Sequence, residues 1–438
     1  MAKRTNFLKA EEIMRAILHS DLNCFYASVE MLYHPELSCG PMAVCGDPSK
    51  RHGIILAKNE QAKQSGVKTG EAIWQARQKC PDLTLQSAHG YLYVRYSELV
   101  RSIYEEYTEL VEPYGLDECW LDVSNSLQPP VYIAEKIRRR VREELGLTVS
   151  IGVSYNKVMA KLGSDLKKPD AITIIKPQDI PTLVWPLPLS TLFYCGPRTC
   201  QKLARINIRT IGDLAHCEAV YIQKVLGKNG LNLWKFANGI DFSEVRPAGE
   251  EEQIKSVGNS TTLPADLHSR DEVKRTFLRL ADKVASRLRK AGMVCRGIQI
   301  SVRDTELLTM ERQSKLYMST CVTKTLYEQA MQLFDAHYFW QRPIRLLGLR
   351  AIDLIDARDD RQLSFLTEFK EEERWREAEA AIDRVRERHG NELVTRDFSD
   401  YQGSDDHAVA SELYRFKNRT AELAGKGVMP MGFRALNE

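Results

Sequence analysis

Three acidic residues in two short segments carry the chemistry this chain could do: Asp21, and the adjacent pair Asp117 and Glu118. Asp21 follows the apolar run Ala16-Ile17-Leu18 and precedes Leu-Asn-Cys-Phe-Tyr-Ala-Ser-Val-Glu. Asp117 and Glu118 lie in Gly-Leu-Asp-Glu-Cys-Trp-Leu-Asp-Val-Ser. In both segments carboxylates stand at the end of an apolar, strand-like stretch. Side by side in one sheet, the two segments would bring the three carboxylates to a common edge. Oxygen ligands suit hard divalent cations such as Mg2+, and two such ions can bracket the attacking and leaving oxygens of a phosphoryl transfer. Strand-end acids also occur for purely structural reasons, and spacing alone leaves that alternative open. Asp122 alternates with Leu121 and Val123, so it faces away from the apolar side and is read as structural.

The elements that must position these residues follow from periodicity and breakers. Residues 17–20 read as a strand, and 25 to about 32 as a helix broken at His34-Pro35. Residues 33–90 form a small α/β insertion with strands at 41–45 and 53–57 and a helix at 61–65 ended by Gly66. A helical pattern over 91–112 stops at Pro113-Tyr114-Gly115. A basic amphipathic helix follows at 131–144, then a strand at 148–153 and a helix at 156–166. Pro177, Pro181, Pro186 and Pro188 mark a domain edge. Residues 190–240 read as short helices, and 242–252 as an exposed tether. Residues 253–355 show the order β, α, β, β, α, β. Residues 371–389 form a charged helix with Trp375, Ala378, Ile382 and Val385 on one face; its acidic face suggests no function. Past Asp397 the composition turns polar and marginal order is expected.

At 438 residues the chain should form several domains. The net charge of +3 says little about a polyanionic partner. Its distribution says more, at roughly +4 for 1–241, +5 for 242–350 and −6 for the remainder. Ordinary charge scatter would account for this as well as a polyanion-binding body with an acidic appendage does. The 10 cysteines form no Cys-x-x-Cys pair and read as reduced thiols. No apolar run approaches the roughly 20 residues that span a bilayer, and the N-terminus lacks the apolar core of a signal peptide. The expectation is a cytoplasmic protein with no membrane partner.

Beyond spacing, the stretches Ser20-Asp21-Leu22-Asn23-Cys24-Phe25-Tyr26-Ala27-Ser28-Val29-Glu30 and Asp117-Glu118-Cys119-Trp120-Leu121-Asp122-Val123 carry a family pattern. It continues through Lys58-Asn59, Gly66-Val67-Lys68, Ser150-Ile151-Gly152-Val153-Ser154, Asn156-Lys157, Ala160-Lys161, Lys168-Pro169 and Lys255-Ser256-Val257-Gly258. In this order, over about 15–355, these motifs resemble the Y-family translesion DNA polymerases, in the bacterial group that takes in DNA polymerase IV and UmuC-like members, with neither branch singled out. The resemblance implies an α+β multidomain right hand. Its palm would be 1–32 and 91–178, its fingers 33–90, its thumb 179–241 and its C-terminal, DNA-gripping little finger 253–355. A tail, 356–438, would follow.

The resemblance also implies roles. Asp21, Asp117 and Glu118, with the backbone carbonyl of Leu22, would hold two Mg2+ ions. Phe25 and Tyr26 would meet the incoming deoxyribonucleoside triphosphate, with the Tyr26 ring rejecting a 2′-hydroxyl. A core tyrosine on an amphipathic helix is the alternative for Tyr26. Lys63 and Lys168 would contact the triphosphate. The common family form has Tyr and Arg where this chain has Glu60 and Lys63, and lysine offers a point charge rather than a planar fork. Either Glu60 points away and pairs with a nearby lysine, or nucleotide binds less tightly here. Ile54 and Leu56 share one strand face and would roof the templating base, or else pack the insertion's own core.

Two glycine turns, at Cys195-Gly196-Pro197 and Gly227-Lys228-Asn229-Gly230, resemble helix-hairpin-helix elements that present backbone N–H groups to DNA phosphate. Pro197 removes one donor and can instead start a helix. In the little finger, Lys255, Ser256, Arg287 and Arg289, with Lys290 and Arg296, would grip primer-template DNA by its phosphates; a solvated basic helix face is the alternative for 287–290. Gln362, Leu363, Phe365 and Leu366 resemble a bacterial sliding-clamp-binding peptide with its last two residues transposed. The expected function is template-directed, error-prone synthesis past damaged bases, without proofreading, by a monomer. A non-catalytic adaptor between the clamp and another polymerase, or a nucleotide cyclase, are the alternatives.

Overall fold

The computed structural model describes residues 15–47, 53–250, 253–359 and 367–389. They fall into two units that divide at Glu250/Glu251.

The first unit opens with β1 (Ile17–Leu22), a strand buried throughout. A turn at 22–24 puts Cys24 in the left-handed region, at φ 50° and ψ 37°, and starts α1 (Phe25–Tyr33). A small lobe follows: β2 (Met42–Cys45), β3 (Ile55–Lys58), α2 (Glu60–Gln64), α3 (Ile73–Lys79) and β4 (Thr84–Ser87). Then come α4 (Gly90–Glu105), β5 (Val111–Tyr114), β6 (Glu118–Asp122), α5 (Pro130–Leu145), β7 (Val149–Ser154), α6 (Lys157–Leu166) and β8 (Ile172–Ile174). The helical pattern over 91–112 is thus split. The helix ends at Glu105, and 111–114 become an edge strand whose backbone pairs with β6.

The main sheet has the order β5-β6-β1-β7-β8, with β1 antiparallel to both neighbours. Successive β1 side chains point to opposite faces. Ser20 Oγ meets Tyr104 Oη of α4 at 2.7 Å, whereas His19 Nδ1 meets Ser164 Oγ of α6 at 2.8 Å. The sheet is therefore sandwiched between α4 and α6. The α6 face lies close because Gly152 of β7 has no side chain: a Cβ there would stand 1.9 Å from the Ala160 carbonyl oxygen.

The small lobe is a three-stranded sheet, β3-β2-β4, over its own core of Ala43, Cys45, Ile55, Ala62, Val67, Ala76, Cys80 and Leu83. Ile55 is fully buried, while Ile54 is 43 % exposed and Leu56 half-buried. Period-two alternation turns these two away from the lobe's core. The helix α3 and strand β4 had no distinct signal in the sequence. Beyond β8, the helices α7 (Pro197–Ala204), α8 (Ile211–His216), α9 (Ala219–Leu226) and α10 (Lys228–Ala237) share a core with Leu189, Leu203, Ile211, Leu214, Ile222 and Leu233. Pro197 is the first residue of α7, and Gly227 supplies the positive φ, 70°, that joins α9 to α10.

Residues 242–252 were expected as an exposed tether. Of those described, 242–244, 247, 249 and 250 are exposed, but Val245 is buried with Ile17, Trp120 and Ala160, and Arg246 pairs with Glu112 at 3.1 Å. The Ala248 N–H donates to the Glu109 carbonyl. Apolar burial of Val245 and the buried acid at Glu112 outweigh the loop-like composition.

The second unit contains β9 (Ser256–Leu267), α11 (Arg270–Lys290), β10 (Met293–Asp304), β11 (Thr309–Thr320), α12 (Thr323–His337), β12 (Ile344–Asp356) and α13 (Thr367–His389). Its sheet has the order β11-β10-β12-β9, all antiparallel. Phe277, Leu280, Val284 and Leu288 of α11 and Leu326 and Phe334 of α12 pack on its inner residues Ile298, Ile300, Leu347 and Leu349. Ser269 and Glu272 form a reciprocal N-terminal cap on α11.

α13 docks in an unexpected way. Its acidic side faces inward, with Glu379 1 % exposed. Arg289 donates to Glu379 at 2.5 Å and to Asp383 at 2.7 Å; Glu379 also takes the Thr323 N–H, and Glu372 bonds Thr325. Trp375 and Val385 point outward. Arg289, expected on the DNA face, is therefore committed to α13, because two carboxylates there satisfy a guanidinium that would otherwise be buried unpaired. Among the described residues, no helix is long and apolar enough to cross a membrane, and the ten cysteines are unbridged.

Candidate active site

The two acidic segments meet as the spacing required. In the β1–β6 ladder Asp21 stands opposite Glu118, and the Leu22 N–H donates to the Asp117 carbonyl at 2.9 Å. Directly paired residues share a sheet face, so the Asp21 and Glu118 carboxylates look the same way, toward α6. From α6, Lys161 Nζ reaches Glu118 at 2.9 Å and Asp21 at 3.3 Å. Lys168 Nζ reaches Asp21 at 2.8 Å, and Asp165 holds both lysines, at 3.3 and 2.8 Å. Lys161, Asp165 and Lys168 are spaced by four and three, which puts them along one side of a helix and its exit.

The loop bearing Lys168 is tied to the turn after β1. Asn23 is buried, accepts the Asp170 N–H at 2.8 Å and donates to Ser150 at 2.9 Å. The approach of Lys168 to Asp21 thus depends on a side chain in the first acidic segment.

Burial and like charge dominate the electrostatics. Asp117 is pushed up to about 6, first by burial and then by the charges of Asp21 and Glu118. Burial also raises Asp21, against the pull of Lys168 and Lys161. Burial would raise Glu118 too, but His19 and Lys161 outweigh it and hold Glu118 down at about 2. His19 Nε2 lies 3.3 Å from Glu118 Oε2, and burial lowers the imidazole. Both lysines are raised: burial opposes this, and Asp21 drives it in each, joined by Glu118 at Lys161.

No three His, Cys, Asp or Glu side chains among the described residues close into a ready cation cage. The donor set nevertheless fits hard divalent cations. Three carboxylates end adjacent strands, and the negative charge they concentrate adds to burial in lifting Asp117. Ammonium groups of Lys161 and Lys168 are what now balance it.

Phe25 is buried, so its ring belongs to the core, and only its backbone N–H can serve a ligand. α1 has no side-chain cap, which leaves N–H groups of its first turn free to bind an anion. Tyr26 is half-buried, and its hydroxyl is raised by burial and by the Asp117 charge, which puts it within electrostatic reach of that carboxylate. Lys63 pairs with Glu60 at 3.3 Å, and the Cys24 thiol lies 3.4 Å from the same Glu60 oxygen. Glu60 therefore pairs with its neighbouring lysine.

Lys255 and Ser256 are exposed at the start of edge strand β9, and Arg287 is exposed while donating to the Gly258 carbonyl. Gln362, Leu363, Phe365 and Leu366 lie outside the described residues. Sequence reasoning assigned no role to Lys161, Asp165 or His19. Two of them were signalled by the four-three spacing, and His19 by its place two residues before Asp21 on the same strand face.

A family profile described as the impB/mucB/samB family matches residues 20–165, and its C-terminal domain profile matches 254–365. A DNA polymerase IV from Acetivibrio thermocellus is 47 % identical over 87 % of this chain and 96 % of its own length. A DNA polymerase IV from Bacillus velezensis is 38 % identical over 87 % and 92 %. Among solved structures, a Y-family DNA polymerase chimera superposes with a TM-score of 0.70 at 22 % identity, covering 78 % of this chain and 99 % of its own; that likeness bears on the fold, a right hand with a little finger. With the acidic motifs on adjacent strands and both profiles matched in order, the chain belongs to the Y-family of DNA polymerases, in the DNA polymerase IV group.

Proposed function

We propose that this chain is a translesion DNA polymerase that extends a primer 3′-hydroxyl against a template, including past damaged bases, and does so with two Mg2+ ions. The observation that carries the reading is the Asp21–Glu118 cross-strand pair with Asp117 beside it, flanked by Lys161 and Lys168. Asp21, Asp117, Glu118 and the Leu22 carbonyl would hold the metal, whose chemistry is to acidify the primer hydroxyl and neutralise the triphosphate.

The chain's own groups do the rest. Lys168 and Lys161 bring fixed positive charge to a substrate of about four negative charges. The uncapped first turn of α1 offers N–H groups to the same phosphates. Lys63 joins them when Glu60 releases it. Tyr26 sits at the helix start, within electrostatic reach of Asp117, and blocks a 2′-hydroxyl. Ile54 and Leu56, turned out of the small lobe's core, roof the templating base.

The first unit thus supplies palm, fingers and thumb, and the second the little finger. Exposed Lys255 and Ser256 at the start of edge strand β9, with Arg287 of α11 bonded to that strand, grip DNA phosphates without reading bases. The hairpin at Gly227 is the stronger thumb contact, since the first turn spends its position on Pro197. Residues 362–366 are read as a sliding-clamp peptide on sequence alone. The protein acts as a cytoplasmic monomer.

Primer extension on undamaged and lesion-bearing templates tests the reading. Wild type should extend both in Mg2+ and neither in chelator. Asp21→Asn, Asp117→Asn and Glu118→Ala should each lose at least about 1000-fold in rate, with primer-template affinity little changed. Vigorous extension by Glu118→Ala would overturn the metal assignment.

A further inference from the structure

Tyr26 can exclude a 2′-hydroxyl only if its ring cannot swing aside, yet it is half-buried on a helix whose rotamers would allow it to move. A second ring backs it. Tyr93 of α4 stacks on Tyr26 with centroids 4.1 Å apart and planes 8° from parallel. Tyr93 is 2 % exposed. Its hydroxyl donates to Glu30 Oε1 at 2.5 Å and accepts the His89 N–H at 3.1 Å.

Glu30 is 0 % exposed and lies one turn beyond Tyr26 on the same helix, at i+4. His89 Nδ1 stands 3.0 and 3.1 Å from its two oxygens. A carboxyl buried this completely must have its hydrogen bonds made. A core that needed only apolar filling would not bury an acid here. Chain geometry closes a loop: Tyr26 and Glu30 on α1, Tyr93 on α4, with the hydroxyl of the backing ring pinned to the helix that carries the ring it backs.

We infer that Glu30, acting through the Tyr93 hydroxyl and with His89, is a positioning residue for sugar selection: it fixes the ring against which Tyr26 is held. This rests on the reading of Tyr26 as the sugar gate. Loss of the anchor should let the stacked pair shift together and admit a 2′-hydroxyl, with the chemical groups left in place.

The test compares the efficiencies of single deoxyribonucleotide and ribonucleotide incorporation by the full chain. Tyr93→Phe keeps the ring and removes only the hydroxyl. It should relax discrimination by about three- to tenfold, short of the loss from Tyr26→Ala, since a displacement of a fraction of an ångström degrades but does not remove a steric contact. Glu30→Ala should relax it similarly. Glu30→Gln, whose amide carbonyl can still accept the hydroxyl, should restore most of it. If Glu30→Ala fails to fold, Tyr93→Phe and Glu30→Gln decide alone. Equal losses on both nucleotides, with the ratio unchanged in Tyr93→Phe while Tyr26→Ala relaxes it, would overturn the inference and leave the gate standing. An unchanged ratio in Tyr26→Ala would remove the gate itself, and the inference with it.

Discussion

Asp21 and Glu118 face each other across two strands, and two like charges at that distance are tolerable only with cations between or beside them. Lys161 and Lys168 serve that need in the protein itself. The two lysines differ in how they are held. Lys161 rides on α6, while Lys168 depends on a loop secured by Asn23. Lys168→Ala should therefore raise the KM for nucleotide by about tenfold, the loss expected for one charge-assisted phosphate contact, with a smaller change in kcat; steady-state incorporation of one nucleotide measures it. Tyr26→Ala should raise ribonucleotide use by about 100-fold or more, because the steric penalty against the 2′-hydroxyl is lost outright. Single-nucleotide incorporation with both sugars reads it directly, and unchanged discrimination would mark Tyr26 as a core residue.

Among elements, the seating of α6 on the sheet decides whether the lysines reach the carboxylates. A methyl at residue 152 would collide with the backbone carbonyl of Ala160, which no side-chain rotation can relieve. Gly152→Ala should cost about 2–3 kcal/mol of stability and lose extension activity as Lys161 is pushed away; thermal melts and primer extension together check this. Beside it, Glu112 anchors the segment after α10. Burial raises its carboxyl, but Lys157 and Arg246 outweigh that and hold it below its ordinary 4.5. A depressed folded pKa means stability that is present above 4.5 and lost as pH falls through the lower, folded value. Melting temperature should drop between pH 6 and pH 3, and Glu112→Gln should show a shallower drop over the same range.

α13 is held by charge, through the acidic face to which its sequence suggested no function. Its apolar positions Trp375 and Val385 are outward, and its acids Glu379 and Asp383 inward. Arg289→Ala should free it. Amide exchange in 372–389 should quicken by about 30-fold, for a local loss of about 2 kcal/mol, while exchange in β10 and β12 stays slow. Equal protection in the variant would show that the ion pairs are incidental.

At the scale of the whole molecule, catalysis and clamp tethering belong, under the proposed function, to separate stretches of chain. The carboxylates and lysines lie in the first unit, the β9 edge in the second, and residues 362–366 follow β12 outside the described residues. Gln362→Ala with Leu363→Ala should leave bare primer extension as it is and reduce only the stimulation by a loaded sliding clamp. Tethering to a ring on DNA makes rebinding of the primer end intramolecular, and breaking the tether returns it to the bimolecular rate. Swapping Phe365 and Leu366 should strengthen clamp binding. Equal clamp pull-down by wild type and double mutant would remove the segment from the functional map.

The acidic segments, the β-α-β-β-α-β order of the second unit and the common strand face of Ile54 and Leu56 could be read from the sequence, though not that this face turns away from the small lobe's core. Each is set by local pattern: strand-end acids, a period of two or 3.6, and turn residues between. Local pattern could not decide partners distant in the chain. It could not say that Arg289 meets Glu379 rather than DNA, that Val245 buries against Trp120, or that 111–114 pair with β6 instead of prolonging a helix. Those outcomes depend on which surfaces the fold brings together, and a buried charge or an edge strand takes whatever complementary group the packing supplies. The same holds within the site. Asp21, Asp117 and Glu118 announce themselves by type and place, but Lys161, Asp165, His19, and the Glu30 and Tyr93 that back Tyr26, acquire their roles only when α4 and α6 close on opposite faces of β1.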